Sequence, residues 1–314
     1  MGEAGHGMNP QTILVAGVRP GTGATTLAAL LWSRIRSRAA SLVLLRPEGL
    51  PDAFRAALEL GTPERQPLEG RDQARITEAC FGCGSCALLC RFGAIRRTSA
   101  RPGAFAAHVT ENAPTAWTID PLSCTGCGVC ARFCPSGAIV LRQPVIGSLE
   151  IIPGTSRNAT AVAAALEPGR EHDLKTALRL IREGRSLASA EPGSPVFVTG
   201  VSAAAPIFPD LCAASSRLVL VTAPGPGAAR HLETALVRAH GRTETIRVAI
   251  SFMEQDPEAA THIETVCQTR GIDFLRGLPY TESLHERLRD GRPLDALPAE
   301  DPVRTAADTI LSFL

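Results

Sequence analysis

The sequence predicts an α/β fold, a mostly parallel sheet covered by helices, into which a separate cysteine-rich domain is inserted. Short apolar runs of strand length alternate with helical segments of about 10 to 15 residues, at the start of the chain and again from about residue 147. Residues 71–144 break this alternation and hold eight of the ten cysteines. We therefore expect residues 1–70 and 145–314 to form the two parts of one α/β domain, and 71–144 to form the insert.

The opening residues predict the order β-α-β-α. The run TILVAG (12–17) has the length of a buried strand, and leucines at helical spacing follow a turn rich in glycine. A second apolar run at 42–45 precedes a predicted helix at 51–60. Residues 61–70 are rich in proline, glycine and charge, and this composition indicates a linker.

After the insert the alternation resumes. The expected strands lie near 149–152 and at 195–199, 217–222 and 246–252, and the expected helices lie at 171–184, 227–240, 257–270, 281–290 and 302–313. Strands that alternate with helices of this length favour parallel pairing, with both faces of the sheet covered.

Composition argues against several classes of partner. The 314 residues suffice for about two domains of roughly 150 residues each. With 32 basic and 31 acidic residues the formal net charge is +1, which favours neither nucleic-acid binding nor adhesion to an anionic membrane. The chain shows no signal-like start and no apolar window of about 18 residues. We expect a cytoplasmic protein without membrane insertion.

Two cysteine runs share one internal spacing. Residues 80–90 read CFGCGSCALLC and residues 124–134 read CTGCGVCARFC, so that both follow C-x2-C-x2-C-x3-C. This spacing is typical of bacterial ferredoxins with two [4Fe–4S] clusters, in which the fourth cysteine of each run ligates the other cluster. The predicted first set of ligands is Cys80, Cys83, Cys86 and Cys134, and the predicted second set is Cys124, Cys127, Cys130 and Cys90.

Structural zinc and buried thiols without a ligand role are the alternatives for these cysteines. Zinc takes four ligands, usually in two pairs, whereas each run here holds four cysteines. The runs also continue alike, as CRFGAI from Cys90 and CPSGAI from Cys134, and this duplication suits a crossed pair of clusters. Cys212 and Cys267 stand alone, and we expect them to be small buried side chains of the core.

Glycines and arginines accompany both runs. Gly82, Gly84, Gly126 and Gly128 occupy equivalent places and would let the backbone approach a cluster. Arg91 stands where the second run has Pro135, a change that removes no ligand. Residues 71–144 carry eight arginines and four acidic residues. This excess of positive charge either forms a docking patch for an acidic redox partner or consists of solvated side chains that compensate the charge of the clusters.

A glycine-rich loop follows the first predicted strand. Residues 18–26 read VRPGTGATT and lead into a predicted helix, which is the setting of a phosphate-binding loop. The candidate phosphate-binding residues are Gly21, Gly23, Thr25 and Thr26.

Three later segments extend this pattern: LEPGREHDLKTALRLIRE (166–183), LVLVTAPGPGAARHLETAL (218–236) and LPYTESLHERLRDGRPL (278–294). Together with the loop and the insert, they make the chain resemble the MinD/ParA-type P-loop ATPases, specifically the subgroup with an inserted two-cluster ferredoxin domain. The resemblance implies a MinD-like fold and a nucleotide cleft. The resemblance also aligns Lys175, the only lysine of the chain, with a lysine of the subgroup. In one interpretation this side chain faces the clusters or the nucleotide cleft. In the other it is a solvated residue on an amphipathic helix.

The loop departs from the family sequence GKGGTGKTT. Val18 and Pro20 replace glycines, Arg19 occupies the position of the family's signature lysine, and Ala24 replaces the lysine that reaches the β- and γ-phosphates. Arginine lacks the slim reach of lysine, and proline removes one backbone donor. The loop then serves the packing of strand on helix, or binds an anion weakly.

The other nucleotide-binding positions differ too. Residues 196–206 correspond to the strand whose aspartate serves the magnesium site, and they contain no acidic residue. Ser251 and Phe252 stand where the family has an adenine-reading Asn-Lys pair. Because phosphoryl transfer depends on positioned cations and a metal, these losses argue against ATP hydrolysis and leave ATP or ADP as doubtful ligands.

The sequence therefore favours an electron-transfer protein with two [4Fe–4S] clusters on a degenerate, non-hydrolysing MinD-like scaffold that docks to a redox partner protein. One alternative is a nucleotide-gated carrier or assembly factor for iron–sulfur or other metal clusters, and another is an interaction subunit with structural clusters. We find no set of catalytic residues. The sequence does not decide whether the chain forms a homodimer. Arg19 in place of the signature lysine argues against a dimer that holds nucleotide at its interface.

Overall fold

The structure, a computed structural model, describes residues 10–35, 40–97, 117–155, 159–170, 172–188 and 193–314. The chain divides into two compact units. The larger unit combines the residues up to Leu68 with Gly147–Leu314, and the smaller unit is Glu69–Ile146.

In chain order, the strands of the described residues are β1 (Thr12–Gly17), β2 (Ser41–Leu44), β3 (Glu64–Glu69), β4 (Gln73–Ile76), β5 (Ile95–Arg97), β6 (Trp117–Ile119), β7 (Ile139–Arg142), β8 (Val145–Pro153), β9 (Thr160–Leu166), β10 (Val196–Thr199), β11 (Arg217–Thr222), β12 (Thr245–Ile250) and β13 (Phe274–Arg276). The helices are α1 (Ala24–Ile35), α2 (Asp52–Ala57), α3 (Ser85–Leu89), α4 (Val129–Arg132), α5 (Leu174–Ala188), α6 (Phe208–Ala213), α7 (Ala228–Ala239), α8 (Pro257–Thr269), α9 (Glu282–Asp290) and α10 (Pro302–Ser312).

The larger unit is built on a sheet with the order β13-β12-β11-β1-β10-β2-β9-β8-β3. The pairs from β13 to β9 run parallel, and β8 pairs antiparallel with β9. Every residue of β1, β2 and β10 is buried, as expected for strands covered on both faces. The predicted α/β class with a mostly parallel sheet is therefore confirmed.

Local sequence explains where several helices begin. Asp256 precedes α8 and accepts a hydrogen bond from the backbone N–H of Ala259 at 3.0 Å, while a proline occupies the first turn. Asp173 does the same ahead of α5, accepting from the N–H of Thr176 at 2.8 Å. None of the helices in the described ranges combines the length and the hydropathy needed to cross a lipid bilayer.

One sequence-based expectation about the sheet is wrong, and one strand is missing from the expected set. The linker expected at 61–70 contains β3, an edge strand in which only Leu68 is buried. Its charged side chains and Pro67 are typical of a sheet edge, so that the strand lacks the apolar pattern of a buried one. Strand β9 was not predicted, since its sequence TAVAAAL favours a helix by propensity.

Close packing explains the small residues near β9. Helix α5 lies so near the sheet that a Cβ on Gly184 would meet Cγ2 of Val43 at 2.5 Å. Alanines on the neighbouring β9 are fully buried at this short distance between helix and sheet.

The smaller unit is a duplicated arrangement. The order β4-α3-β5 repeats as β6-α4-β7. Strand β4 pairs antiparallel with β7, and β5 pairs antiparallel with β6, so each pair takes one strand from each half. The two halves thus depend on each other, and their shared core includes Ala74, Ala94, Ile95 and Ile139.

Candidate iron–sulfur site

The crossed grouping of the cysteines is visible in the smaller unit. One pocket is lined by Cys80, Cys83, Cys86 and Cys134, together with Trp117. Three of these thiols come from the first run and one from the second, because Cys134 follows the short helix α4 and reaches the other half. The structure thus brings together the four residues of the predicted first set.

A second pocket is lined by Cys124, Cys127, Cys130 and Cys90. Here Cys90, which follows helix α3, joins three thiols of the second run. Cys124 and Cys130 are buried, with 8% and 9% of their surface exposed, whereas no cysteine of the first set is buried. The second set is therefore the more enclosed of the two.

The glycines of the runs adopt backbone conformations that other residues disfavour. Gly84 and Gly128 precede α3 and α4 with φ of 76° and 75°. A Cβ on Gly84 would lie 2.8 Å from Cζ2 of Trp117, and one on Gly126 would lie 2.8 Å from the carbonyl carbon of Asp72. At Gly84 and Gly126, neighbouring residues leave no room for a side chain, and the left-handed backbone also favours glycine.

Two serines act on thiols of the first set. The Ser136 hydroxyl lies 3.6 Å from Sγ of Cys134. Burial raises the pKa of Cys134, but hydrogen bonds from the side chain of Ser136 and from the backbone of residues 136–138 outweigh it, and the net shift is downward. Hydrogen bonds from the side chain and backbone of Ser85 lower the pKa of Cys83. Both donors stabilise a thiolate, the form that binds iron.

Burial dominates at other thiols. Desolvation raises the pKa of Cys86 in the first set and of Cys130 in the second. In the second set the backbone N–H of Ala74 donates to Sγ of Cys124 at 3.5 Å. The two sets thus differ in the polar groups around their sulfurs.

The residues present fit iron–sulfur clusters. Within the described ranges, no three His, Cys, Asp or Glu side chains converge as the ligands of a single metal ion do. The four thiols of each set instead surround a pocket, which suits a cubane because each thiolate there binds a different iron. At the second pocket the buried hydroxyl of Thr125 has no hydrogen-bond partner among the residues that the structure describes, and a cluster would supply one.

Sequence reasoning did not single out Ser85, Ser136 or Thr125. A signal for the serines was present in the alignment of the two runs, where Ser85 stands opposite Val129 and Ser136 opposite Phe92. The unpartnered state of Thr125 depends on its burial, which only the tertiary structure determines.

The predicted phosphate loop lines a cleft of about 610 Å³ in the larger unit. Gly21, Gly23, Thr25 and Thr26 all belong to its lining, at the carboxyl end of β1 and the start of α1. Arg19, Arg46 and His285 also line the cleft, while none of the described residues in its lining is acidic.

Two side chains change the character of this cleft. The Arg19 guanidinium donates from Nη2 to the carbonyl oxygen of Pro224 at 3.2 Å, so it is held by its own chain. Phe252 has a left-handed backbone with φ of 57°, and its ring would touch a Cβ on Gly23 at 3.4 Å. An aromatic ring thus packs against the phosphate loop at a position where polar side chains were expected from the resemblance.

Three further residues that the sequence singled out, Cys212, Cys267 and Lys175, lie outside the two cysteine pockets and the cleft. Cys212 and Cys267 are completely buried, as predicted, and burial raises the pKa of their thiols to about 12 and about 11. Lys175 lies in the first turn of α5 with an exposed side chain and does not line the cleft.

The larger unit has the fold of the MinD/ParA-type P-loop ATPases, and a ferredoxin-type unit is inserted in it. Residues 79–138 match the family described as 4Fe-4S dicluster domain. This match covers both cysteine runs.

Solved structures with this fold are similar to the chain over nearly its whole length. The septum site-determining protein MinD complexed with Mg-ADP from Pyrococcus horikoshii OT3 is 12% identical at a TM-score of 0.53, with 98% of this chain and 96% of that chain covered. A ParA family ATPase from Chlorobium tepidum TLS is 11% identical at 0.50, covering 96% and 98%. A variant of McdA from Cyanothece in complex with ATP is 11% identical at 0.50, covering 97% and 96%. No curated protein matches the sequence of this chain.

Proposed function

We propose that this chain is an iron–sulfur electron-transfer protein that binds two [4Fe–4S] clusters, one at each crossed set of cysteines. The observation that carries the proposal is that three thiols of one run and one of the other line each pocket. A bound [4Fe–4S] cluster takes up and releases single electrons.

The crossed sets assign a specific role to the fold of the smaller unit. Neither half of the duplication contains a complete set, so β4 must pair with β7 and β5 with β6 before four thiols surround either pocket. The cysteines bind iron, the glycines permit the tight turns between them, and the shared core holds the two runs in register.

Paired cysteine variants test this proposal in the full-length protein, reconstituted without oxygen. Cys80→Ala with Cys134→Ala removes two residues of one set and should lower the iron and sulfide content by one cluster. Cys80→Ala with Cys90→Ala removes two residues of one run, but one from each set, and should damage both clusters. The buried Cys267→Ala serves as control and should leave the iron content unchanged. Equal losses in the two double variants would contradict the crossed assignment.

We also propose that the scaffold does not hydrolyse ATP. Ala24 offers no positive charge to the phosphates, and the guanidinium of Arg19 is hydrogen-bonded to the carbonyl oxygen of Pro224. The described lining of the cleft has no carboxylate to hold magnesium. Isothermal titration with MgATP and MgADP, combined with the EPR signal of the reduced protein, is the test. We expect neither heat of binding nor a change in the signal.

A nucleotide-gated carrier of metal clusters is the second candidate function, and the open cleft beside the phosphate loop favours it. Micromolar binding of MgATP that changes the EPR signal would support this candidate and overturn the first. Transfer of a cluster to an apo-acceptor, dependent on nucleotide, would do the same.

The proposed partner is a redox protein with an acidic docking surface. Arg91, Arg96, Arg97 and Arg132 are exposed in the smaller unit, which supports attraction of such a partner. The rate of electron transfer to an acidic acceptor should then fall as salt is added, and a rate independent of salt would contradict this role. Because the guanidinium of Arg19 is held by Pro224 of its own chain, any homodimer is proposed to form without a nucleotide at its interface.

A further inference from the structure

The two halves of the smaller unit differ at the positions that adjoin the sulfurs. Ser85, two residues after Cys83, corresponds to Val129 in the second run, and Ser136, two residues after Cys134, corresponds to Phe92. Because the fourth cysteines cross over, Ser136 belongs to the first set although it lies in the second run. Both serines therefore lie at one set and both apolar counterparts at the other.

The linings of the two pockets support this segregation. Ser136 lines the first pocket, with its hydroxyl 3.6 Å from Sγ of Cys134, and Ser85 stands between Gly84 and Cys86, which both line that pocket. Val129 and Phe92 line the second pocket. A hydroxyl that donates to a ligating sulfur stabilises added negative charge, whereas valine and phenylalanine cannot donate.

Burial acts in the same direction as the hydroxyls. Cys124 and Cys130 of the second set are buried, whereas all four cysteines of the first set are at least partly exposed. Water near a cluster stabilises its reduced, more negative state, and a less polar surrounding disfavours that state.

Other groups at the second set act against this difference. The Ala74 N–H donates to Cys124 at 3.5 Å, and the Thr125 hydroxyl is available to a cluster. Arg91 follows Cys90, but its guanidinium is exposed and stacks over the ring of Phe92 at 4.9 Å, so that solvent screens its charge. The donors at the second set offset part of the difference in reduction potential between the two clusters. The burial of two sulfurs in the second set still favours reduction at the first set.

We propose that Ser85 and Ser136 give the cluster of the first set a higher reduction potential than the cluster of the second set. This inference rests on the proposed function. An electron supplied by a low-potential one-electron donor then passes from the second cluster, which is oxidised again, to the first cluster, which is reduced. The first set is where the electron resides before it leaves to an acceptor.

A reductive titration of the reconstituted full-length protein, followed by EPR, tests the inference. We expect two separate one-electron steps. Ser136→Ala removes the hydrogen bond of Ser136 and should lower the higher of the two potentials by up to about 59 mV. For a one-electron step, this shift corresponds to a change of about tenfold in the equilibrium constant of reduction. Ser85→Ala should act in the same direction, and Val129→Ser should raise the lower potential.

Two controls separate the role of the hydroxyls from general loosening of the unit. Ser136→Thr keeps the hydroxyl and should retain the higher potential. Thr77→Val removes a hydroxyl that donates to the carbonyl oxygen of Ala138 at 3.0 Å rather than to sulfur, and should shift neither step.

The outcomes distinguish this inference from the function on which it rests. If the protein takes up no cluster, or cannot be reduced reversibly, the proposed function is wrong and the inference fails with it. If both clusters are present and reversible but share one potential, or if Ser136→Ala shifts the lower step, only the inference is overturned.

Discussion

Replacing Gly126 by alanine should destabilise the smaller unit more than the same change at Gly93, another glycine of that unit. Gly126 has φ of 70°, and its added Cβ would overlap the carbonyl oxygen of Asp72 and lie 2.8 Å from the carbonyl carbon. Ordinary contacts begin at 3.4 Å, so the backbone at Asp72 would have to move by more than an ångström to clear its carbonyl oxygen.

Two costs add up in this variant. A left-handed backbone costs a non-glycine residue about 1–2 kcal/mol, and forcing an atom into a packed region adds about 1–3 kcal/mol. Gly93→Ala is the matched control, because Gly93 has φ of 62° but nothing within 4 Å of the added Cβ. The control should lose only the first, conformational part.

Asp72 directly precedes β4, whose Ala74 N–H donates to Cys124. Displacement of Asp72 should therefore weaken the second set of cysteines before the first. The assay is urea unfolding of the reconstituted protein, followed by the visible absorbance of the clusters, with iron content measured in parallel. Equal free energies of unfolding for Gly126→Ala and Gly93→Ala would refute the packing argument.

Three further predictions concern the scaffold. Ala24→Lys alone should not create binding of MgATP in isothermal titration, because Phe252 still packs on Gly23 and the described cleft lining still lacks a carboxylate; a micromolar affinity would contradict this. Cys212 and Cys267, with pKa values raised to about 12 and about 11, remain protonated at neutral and mildly alkaline pH, so alkylation should modify them only after unfolding, as mass spectrometry of native and denatured samples would detect. Asp173→Ala should lower the free energy of unfolding by about 1 kcal/mol through loss of the cap on α5, while Asp173→Asn should retain most of it; equal losses in thermal unfolding would speak against capping.

Much of the fold was predictable because the informative signals are local. The buried strands β1, β10, β11 and β12 are short apolar runs, and the helices after them show apolar periodicity. Strands β3 and β9 escaped prediction for opposite reasons. An edge strand such as β3 needs no apolar face, and β9 is rich in alanine because a helix packs closely on the sheet there.

The sequence by itself determined the chemistry of this protein: two cysteine runs with a ferredoxin spacing, a glycine loop without its lysine, and an alternation of strands and helices. These features depend on residue types at short separations, which a linear reading contains. Tertiary structure alone decided that Phe252 packs on the phosphate loop, that Arg19 is bonded to Pro224, and that the second cysteine set is the more buried. Each of these depends on contacts between residues distant in sequence, and burial and hydrogen bonding exist only once those residues have been brought together.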